Sequence, residues 1–110
     1  MKRIAIVTGA SRGIGREIAK MLAKEDIQVI ANYNNSEKKA IELQEKLKKE
    51  NINIDIFKAD ISKREDARKL VEYTLEKYKK IDILVNNAGI SEYKMFTEET
   101  DSDWNRVINN

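Results

Sequence analysis

The chain contains no histidine, no cysteine and no proline, and only four glycines, two phenylalanines and one tryptophan in 110 residues. Without His or Cys it cannot build a Ser-His-Asp or Cys-His nucleophile, an imidazole metal cluster or a disulfide, so no metal is expected. Any proton transfer must run through Tyr, Lys, Asp, Glu, a bound cofactor or water. No apolar run approaches the roughly 20 residues of a membrane span. The apolar stretch in MKRIAIVTGA is too short for a secretory signal and lacks a small-residue cleavage site. The expected compartment is therefore the cytoplasm, with no membrane partner. Neither sign of charge dominates: 21 Lys and Arg against 19 Asp and Glu leave a net charge of +2. The signs interleave, as in EKKAIELQEKLKKE, which leaves no basic face for nucleic acid.

What is present is an alternation of two apolar patterns along a length that suits a single domain, residues 1–110. Ile4 to Val7 form a short β-branched run typical of a buried parallel strand. From Ile14 the period changes, and Ile14, Ile18, Met21 and Leu22 mark the expected inner face of a helix. Gln28 to Ala31 reads as a second strand, Ser36 to Glu50 as a helix with Ala40, Leu43 and Leu47 inward, and Ile52 to Phe57 as a third strand. Ser62 to Glu65 has the S-x-x-E pattern of a capping box, opening a helix whose expected inner face is Ala67, Leu70, Val71, Leu75 and Tyr78. A fourth strand, Ile81 to Val85, follows; then come a loop and a short helix beginning near Thr100, with Trp104, Val107 and Ile108 as its apolar positions. Strand and helix in strict alternation predict an α/β fold, a parallel sheet with helices on both faces. Ligands of such sheets bind outside the carboxyl ends of the strands.

The loops at those ends carry the chemistry. After strand one, Thr8-Gly9-Ala10-Ser11-Arg12-Gly13-Ile14-Gly15 leads straight into a helix and holds three of the four glycines. A helix start offers unpaired N–H groups and the positive end of its dipole, a site for a pyrophosphate. The spacing G-x-x-x-G-x-G is neither the common dinucleotide fingerprint nor a Walker A loop. Strand two ends Ala31-Asn32-Tyr33-Asn34-Asn35-Ser36 with no acid before Glu37, and Arg12 sits in the glycine loop. A site for a free ribose 2′-hydroxyl usually places Asp or Glu about 20 residues after the glycines, so a 2′-phosphate, and hence NADP rather than NAD, is favoured. The same Asn residues and Ser36 also suit a turn and a helix cap. Asp60, at the end of strand three, can accept from an adenine amino group or serve as a turn residue. Asn86-Asn87-Ala88-Gly89 follows strand four; two adjacent amides can tie strand ends together where a glycine lets a cofactor approach.

Together TGASRGIG at 8–15, the Ala59-Asp60 strand end and DILVNNAGI at 82–90 resemble the short-chain dehydrogenase/reductase family. NYNNSE after strand two and DWNRVIN near the end look like its bacterial 3-oxoacyl-acyl-carrier-protein reductase branch. The resemblance implies half of a doubly wound Rossmann-type sheet, about four strands in the order 3-2-1-4. It implies that Gly9, Ser11, Arg12, Gly13, Ile14 and Gly15 line the pyrophosphate and 2′-phosphate, and that Asn32 and Asn34 lie near the adenosine ribose. Asp60 and Ile61 would lie beside adenine, and Asn86, Ala88 and Gly89 against the nicotinamide-side ribose.

In that family the catalytic Asn, Ser and Y-x-x-x-K lie beyond the NNAG segment, and by alignment on Trp104 the Asn falls just past Asn110. No catalytic residue is therefore assigned, weak NADP(H) binding is expected, and carbonyl reduction by this stretch alone is not. Tyr73 to Lys77 matches Y-x-x-x-K literally but sits in the middle of the third helix, where the pair shares one face. An open edge at Ile83 to Val85, together with the Trp104 helix, predicts a homodimer. The alternatives are a helix covering that edge in a flavodoxin-like monomer, and a self-associating structural fragment without a ligand.

Overall fold

The computed structural model describes residues 2–11 and 13–87. Seven elements follow in alternation: β1 (Ile4–Val7), α1 (Gly13–Lys24), β2 (Gln28–Tyr33), α2 (Glu37–Lys48), β3 (Asp55–Lys58), α3 (Arg64–Tyr78) and β4 (Ile83–Val85). The four strands form one sheet in the order β3-β2-β1-β4, and every pairing is parallel. The register sets Ile6 beside Ile30 and Leu84, which brings the carboxyl ends of all four strands to one rim.

Period-two alternation splits the core into two layers. Ile4, Ile6 and Ile30 pack with Ala59, Ile61, Ala67, Leu70 and Ile81 on the face covered by α3. Val7, Val29 and Ala31 pack with Ala19, Ala23, Leu43, Leu47 and Ile54 on the face covered by α1 and α2. Burying Leu43, Leu47 and Leu70 completely stabilises the fold by roughly 1.5–3 kcal/mol each.

Four expectations are corrected. The inner face of α1 is Gly15, Ala19 and Ala23, while Ile14 is 72% and Met21 58% exposed. The helix lies so close to the sheet that only small residues fit along the contact line, and Ile18 and Leu22 pack at its margins. Strand three begins at Asp55 rather than Ile52. The reason is the end of α2, where Asn51 takes a positive φ of 64° and the Ile52 N–H donates back to the Leu47 carbonyl, so residues 51 and 52 close the helix. Finally, Ser62 does not cap α3. The residue flanking that helix is Lys63, with no side-chain cap bond; Ser62 instead donates its hydroxyl to Asp60 Oδ1 at 2.6 Å. Leu75 is also 42% exposed, and Thr74, donating to the Leu70 carbonyl, takes the buried position.

Strand two runs two residues further than its apolar pattern, through Asn32 and Tyr33. Both are buried, which carries the end of β2 up to the rim where the glycine loop lies.

Candidate functional site

The rim is built around the turn from β1 into α1. Gly9 and Gly13 have φ of 60° and 64°, a left-handed backbone that costs an L side chain about 1–2 kcal/mol. Gly15 serves a different need: a Cβ there would sit 2.2 Å from the Gly9 carbonyl oxygen and 2.6 Å from Asn87 Nδ2. Any side chain at 15 would push α1 off the turn. A Cβ at Gly13 would meet nothing within 4 Å, so there is open space beside the first residue of α1, where a helix leaves its first N–H groups unpaired. Left-handed glycines, a helix start and room above it suit a pyrophosphate. An open groove of about 540 Å³ runs from Gly13 and Ile14 down α1 past Arg16, Glu17 and Ile18 to Met21.

Neighbouring strand ends hold the turn in place. The Thr8 hydroxyl accepts the Asn87 N–H at 2.9 Å, and the Thr8 N–H donates to the Val85 carbonyl at 3.0 Å. Asn87 Nδ2 donates to the Gly9 carbonyl at 3.3 Å. The adjacent amides after β4 thus tie strand ends together as their placement implied, though Asn87 does more of this than Asn86, whose contact is a 3.4 Å bond from the Thr8 hydroxyl. Thr8 is the site residue that sequence reasoning did not single out; Asn87 was read there as one of the two adjacent amides. On the other side, Arg16 donates to the Lys39 carbonyl of α2 at 3.2 Å.

Asn32 lies at the end of β2, 2% exposed. Its Oδ1 accepts the Gly9 N–H at 3.3 Å, and its Nδ2 donates to the carbonyls of Ala59 at 3.1 Å and Phe57 at 3.3 Å. Its own carbonyl accepts the Ala10 N–H at 2.8 Å. Asn34 is exposed beyond it. Asp60 follows β3 on the rim and accepts from both the hydroxyl and the N–H of Ser62. Those bonds, the hydroxyl's foremost, together with Lys63 hold its carboxyl below the usual range. Ile61 is buried in the α3-side core, so its side chain packs among Leu70 and Ala67. Ser11 is nearly buried within the turn, at 8% exposure. Arg12, Ala88, Gly89 and Trp104, with the helix expected around it, lie outside the described residues.

The Y-x-x-x-K look-alike stands elsewhere. Tyr73 donates to Asp55 Oδ2 at 3.1 Å, Lys77 pairs with the same carboxylate at 3.2 Å, and the Tyr78 hydroxyl also donates to it. Burial, followed by the hydrogen bond to Asp55 and then the Asp55 charge, raises the Tyr78 phenol; hydrogen bonds to Tyr73 and Asp55 raise the Lys77 ammonium. The cluster pins α3 to the start of β3, at the end of the strand opposite the rim. Among the described residues no group of three or more His, Cys, Asp or Glu could hold a metal ion. No helix among them is long and apolar enough to cross a membrane.

A family model described as short chain dehydrogenase matches residues 3–110. The chain is 39% identical over 107 residues to the hydroxynaphthalene reductase-like protein Arp2 of Metarhizium guizhouense, covering 97% of this chain and 40% of that protein. It is 35% identical over 108 residues to a 3-oxoacyl-acyl-carrier-protein reductase of Staphylococcus epidermidis, covering 98% of this chain and 44% of the other. The chain therefore spans less than half the length of these curated relatives. Among solved structures, an actinorhodin polyketide ketoreductase variant with NADPH superposes with a TM-score of 0.73 at 34% identity, covering 81% of this chain and 34% of that one.

Proposed function

The chain belongs to the short-chain dehydrogenase family, and on that footing we propose that it is the NADP(H)-binding portion of a reductase resembling 3-oxoacyl-acyl-carrier-protein reductase. The observation that carries this is the open space above Gly13 at the start of α1, beside the carboxyl end of β1. In this reading the turn from Gly9 to Gly15, with Ser11, Arg12, Gly13 and Ile14, holds the pyrophosphate and the 2′-phosphate. Asn34 lies beside the adenosine ribose and Asp60 beside adenine, with Ile61 contributing backbone. Asn86, Ala88 and Gly89 face the nicotinamide-side ribose. A bound nicotinamide would supply the hydride for a carbonyl reduction. This chain's own residues bind and orient it, and Tyr73 and Lys77, engaged with Asp55, supply no proton to the rim. Carbonyl reduction by this stretch alone is not expected.

Titration of NADPH by its fluorescence tests the reading. Weak, saturable binding that is lost in Gly13→Val and reduced in Arg12→Ala supports it; no binding at millimolar cofactor removes it.

A second reading, self-association, rests on exposed apolar surface. Arg16 reaches α2 from one flank of α1, so helical spacing sets Ile14, Ile18 and Met21 toward the other flank. Ile83 to Val85 are only half-buried, and β4 is the last strand of the sheet among the described residues. A two-fold dimer through that edge would cover both. Sedimentation equilibrium showing only monomer at micromolar concentration rules it out.

A further inference from the structure

We propose that Asn32 is a positioning residue that sets the glycine turn on the sheet through its side chain, and that the ribose 2′ position is read by the side chains that follow it rather than by Asn32. The proposal rests on the cofactor reading above. Asn32 opens the stretch, about 20 residues after the glycines, in which sites for a free 2′-hydroxyl place an acid. Here the side chain at that position is 2% exposed and turned inward. One end of its amide accepts from Gly9, and the other donates to the carbonyls that end β3, those of Phe57 and Ala59. Its own carbonyl accepts from Ala10, so one residue takes two successive N–H groups of the turn. Three elements, the glycine turn, β2 and β3, therefore meet on a single amide. Only an amide satisfies this arrangement, which needs an acceptor toward Gly9 and donors toward two carbonyls.

A carboxylate at position 32 has no donor for Phe57 and Ala59, and its charge would face their carbonyl oxygens with little water to screen it. Asn32→Asp should thus fail to create an NAD site. It should loosen the turn that both cofactors need, and the new carboxyl should take up a proton well above the usual carboxylate range. Once protonated, its O–H can again donate to β3.

The experiment combines thermal melting with NADPH and NADH titrations of the full chain at pH 5.5 and 8, for the wild type, Asn32→Asp and Asn34→Asp. At pH 8, Asn32→Asp is expected to melt lower and to lose affinity for both cofactors by a similar factor, tenfold or more, with the melting deficit narrowing at pH 5.5. Asn34→Asp, exposed, is expected to weaken NADPH about tenfold relative to NADH at an unchanged melting temperature. Asn32→Asp that melts like the wild type at pH 8, or that gains NADH over NADPH, overturns the proposal. A wild type that binds neither cofactor overturns the cofactor reading instead, while the melting data still decide whether Asn32 props the turn. Should Asn32→Asp not fold, exchange of the wild-type Asn32 side-chain amide protons by NMR decides. Slow exchange with little shift on adding NADPH supports the strut; fast exchange or a large shift removes it.

Discussion

The hydroxyl of Thr8 accepts the backbone N–H of Asn87 at 2.9 Å, joining the end of β1 to the residue that reaches over the glycine turn. Thr8 is fully buried, so Thr8→Val would leave the Asn87 N–H without its partner. Asn87 is itself exposed, so water can take up that N–H, and the loss is that of one hydrogen bond, about 1 kcal/mol. Chemical denaturation should show that loss for Thr8→Val and a much smaller one for Thr8→Ser, which keeps the oxygen.

The two helical glycines should separate in the same assay. Gly15→Ala sets a methyl carbon 2.2 Å from the Gly9 carbonyl oxygen, fixed backbone that cannot yield as the nearby Asn87 side chain can, and should cost about 3 kcal/mol or more. Gly13→Ala meets open space and bears only its left-handed backbone, about 1–2 kcal/mol. Equal losses for the two variants would contradict this packing.

Asp82 gives the fold an acid sensitivity. Burial raises its carboxyl, but the Ile4 N–H at 2.8 Å and Lys80 at 3.0 Å outweigh that and hold it below the ordinary range. A carboxylate with a depressed folded-state pKa contributes stability above the unfolded pKa, about 4, and loses it as pH falls through the folded value. Asp82→Ala should therefore lower stability by about 1–3 kcal/mol near neutral pH. The gap to the wild type should shrink below about pH 4, as melting curves across that range would show.

The Tyr73–Lys77 pair should be irrelevant to cofactor. Tyr73→Phe removes the hydrogen bond to a half-buried carboxylate and the exposed one accepted from Lys77, and should cost about 1–2 kcal/mol. Lys77→Met breaks a partly exposed ion pair and should cost about 1 kcal/mol or less. NADPH titrations of both should match the wild type; a selective loss of affinity with stability intact would reopen a role for the pair.

Much of this was legible in the linear order of residues. The β-branched run at Ile4–Val7 and the spacing of Ala40, Leu43 and Leu47 identified β1 and the buried side of α2 because each element buries one periodic set of side chains. The glycine turn was legible because left-handed backbone and close approach leave few other residues possible. The inner face of α1 was not. Ile14 and Met21 obey helical spacing as well as Ala19 and Ala23 do, and only the distance between helix and sheet selects the small residues. The Ser62 pattern failed similarly, because Asp60, two residues before, competes for the same hydroxyl.

The sequence by itself determined the alternation of strand and helix, the parallel sheet and the placing of glycines at its rim, because periodicity and backbone sterics act over a few neighbouring residues. Only the tertiary structure decided what those rim residues do. Asn32 reads locally as a strand-end amide near a ribose, and becomes a strut because the end of β3, 27 positions along the chain, brings the Ala59 carbonyl to its Nδ2. Hydrogen bonds to partners so remote in sequence follow from strand order and register, which no local pattern around Asn32 encodes.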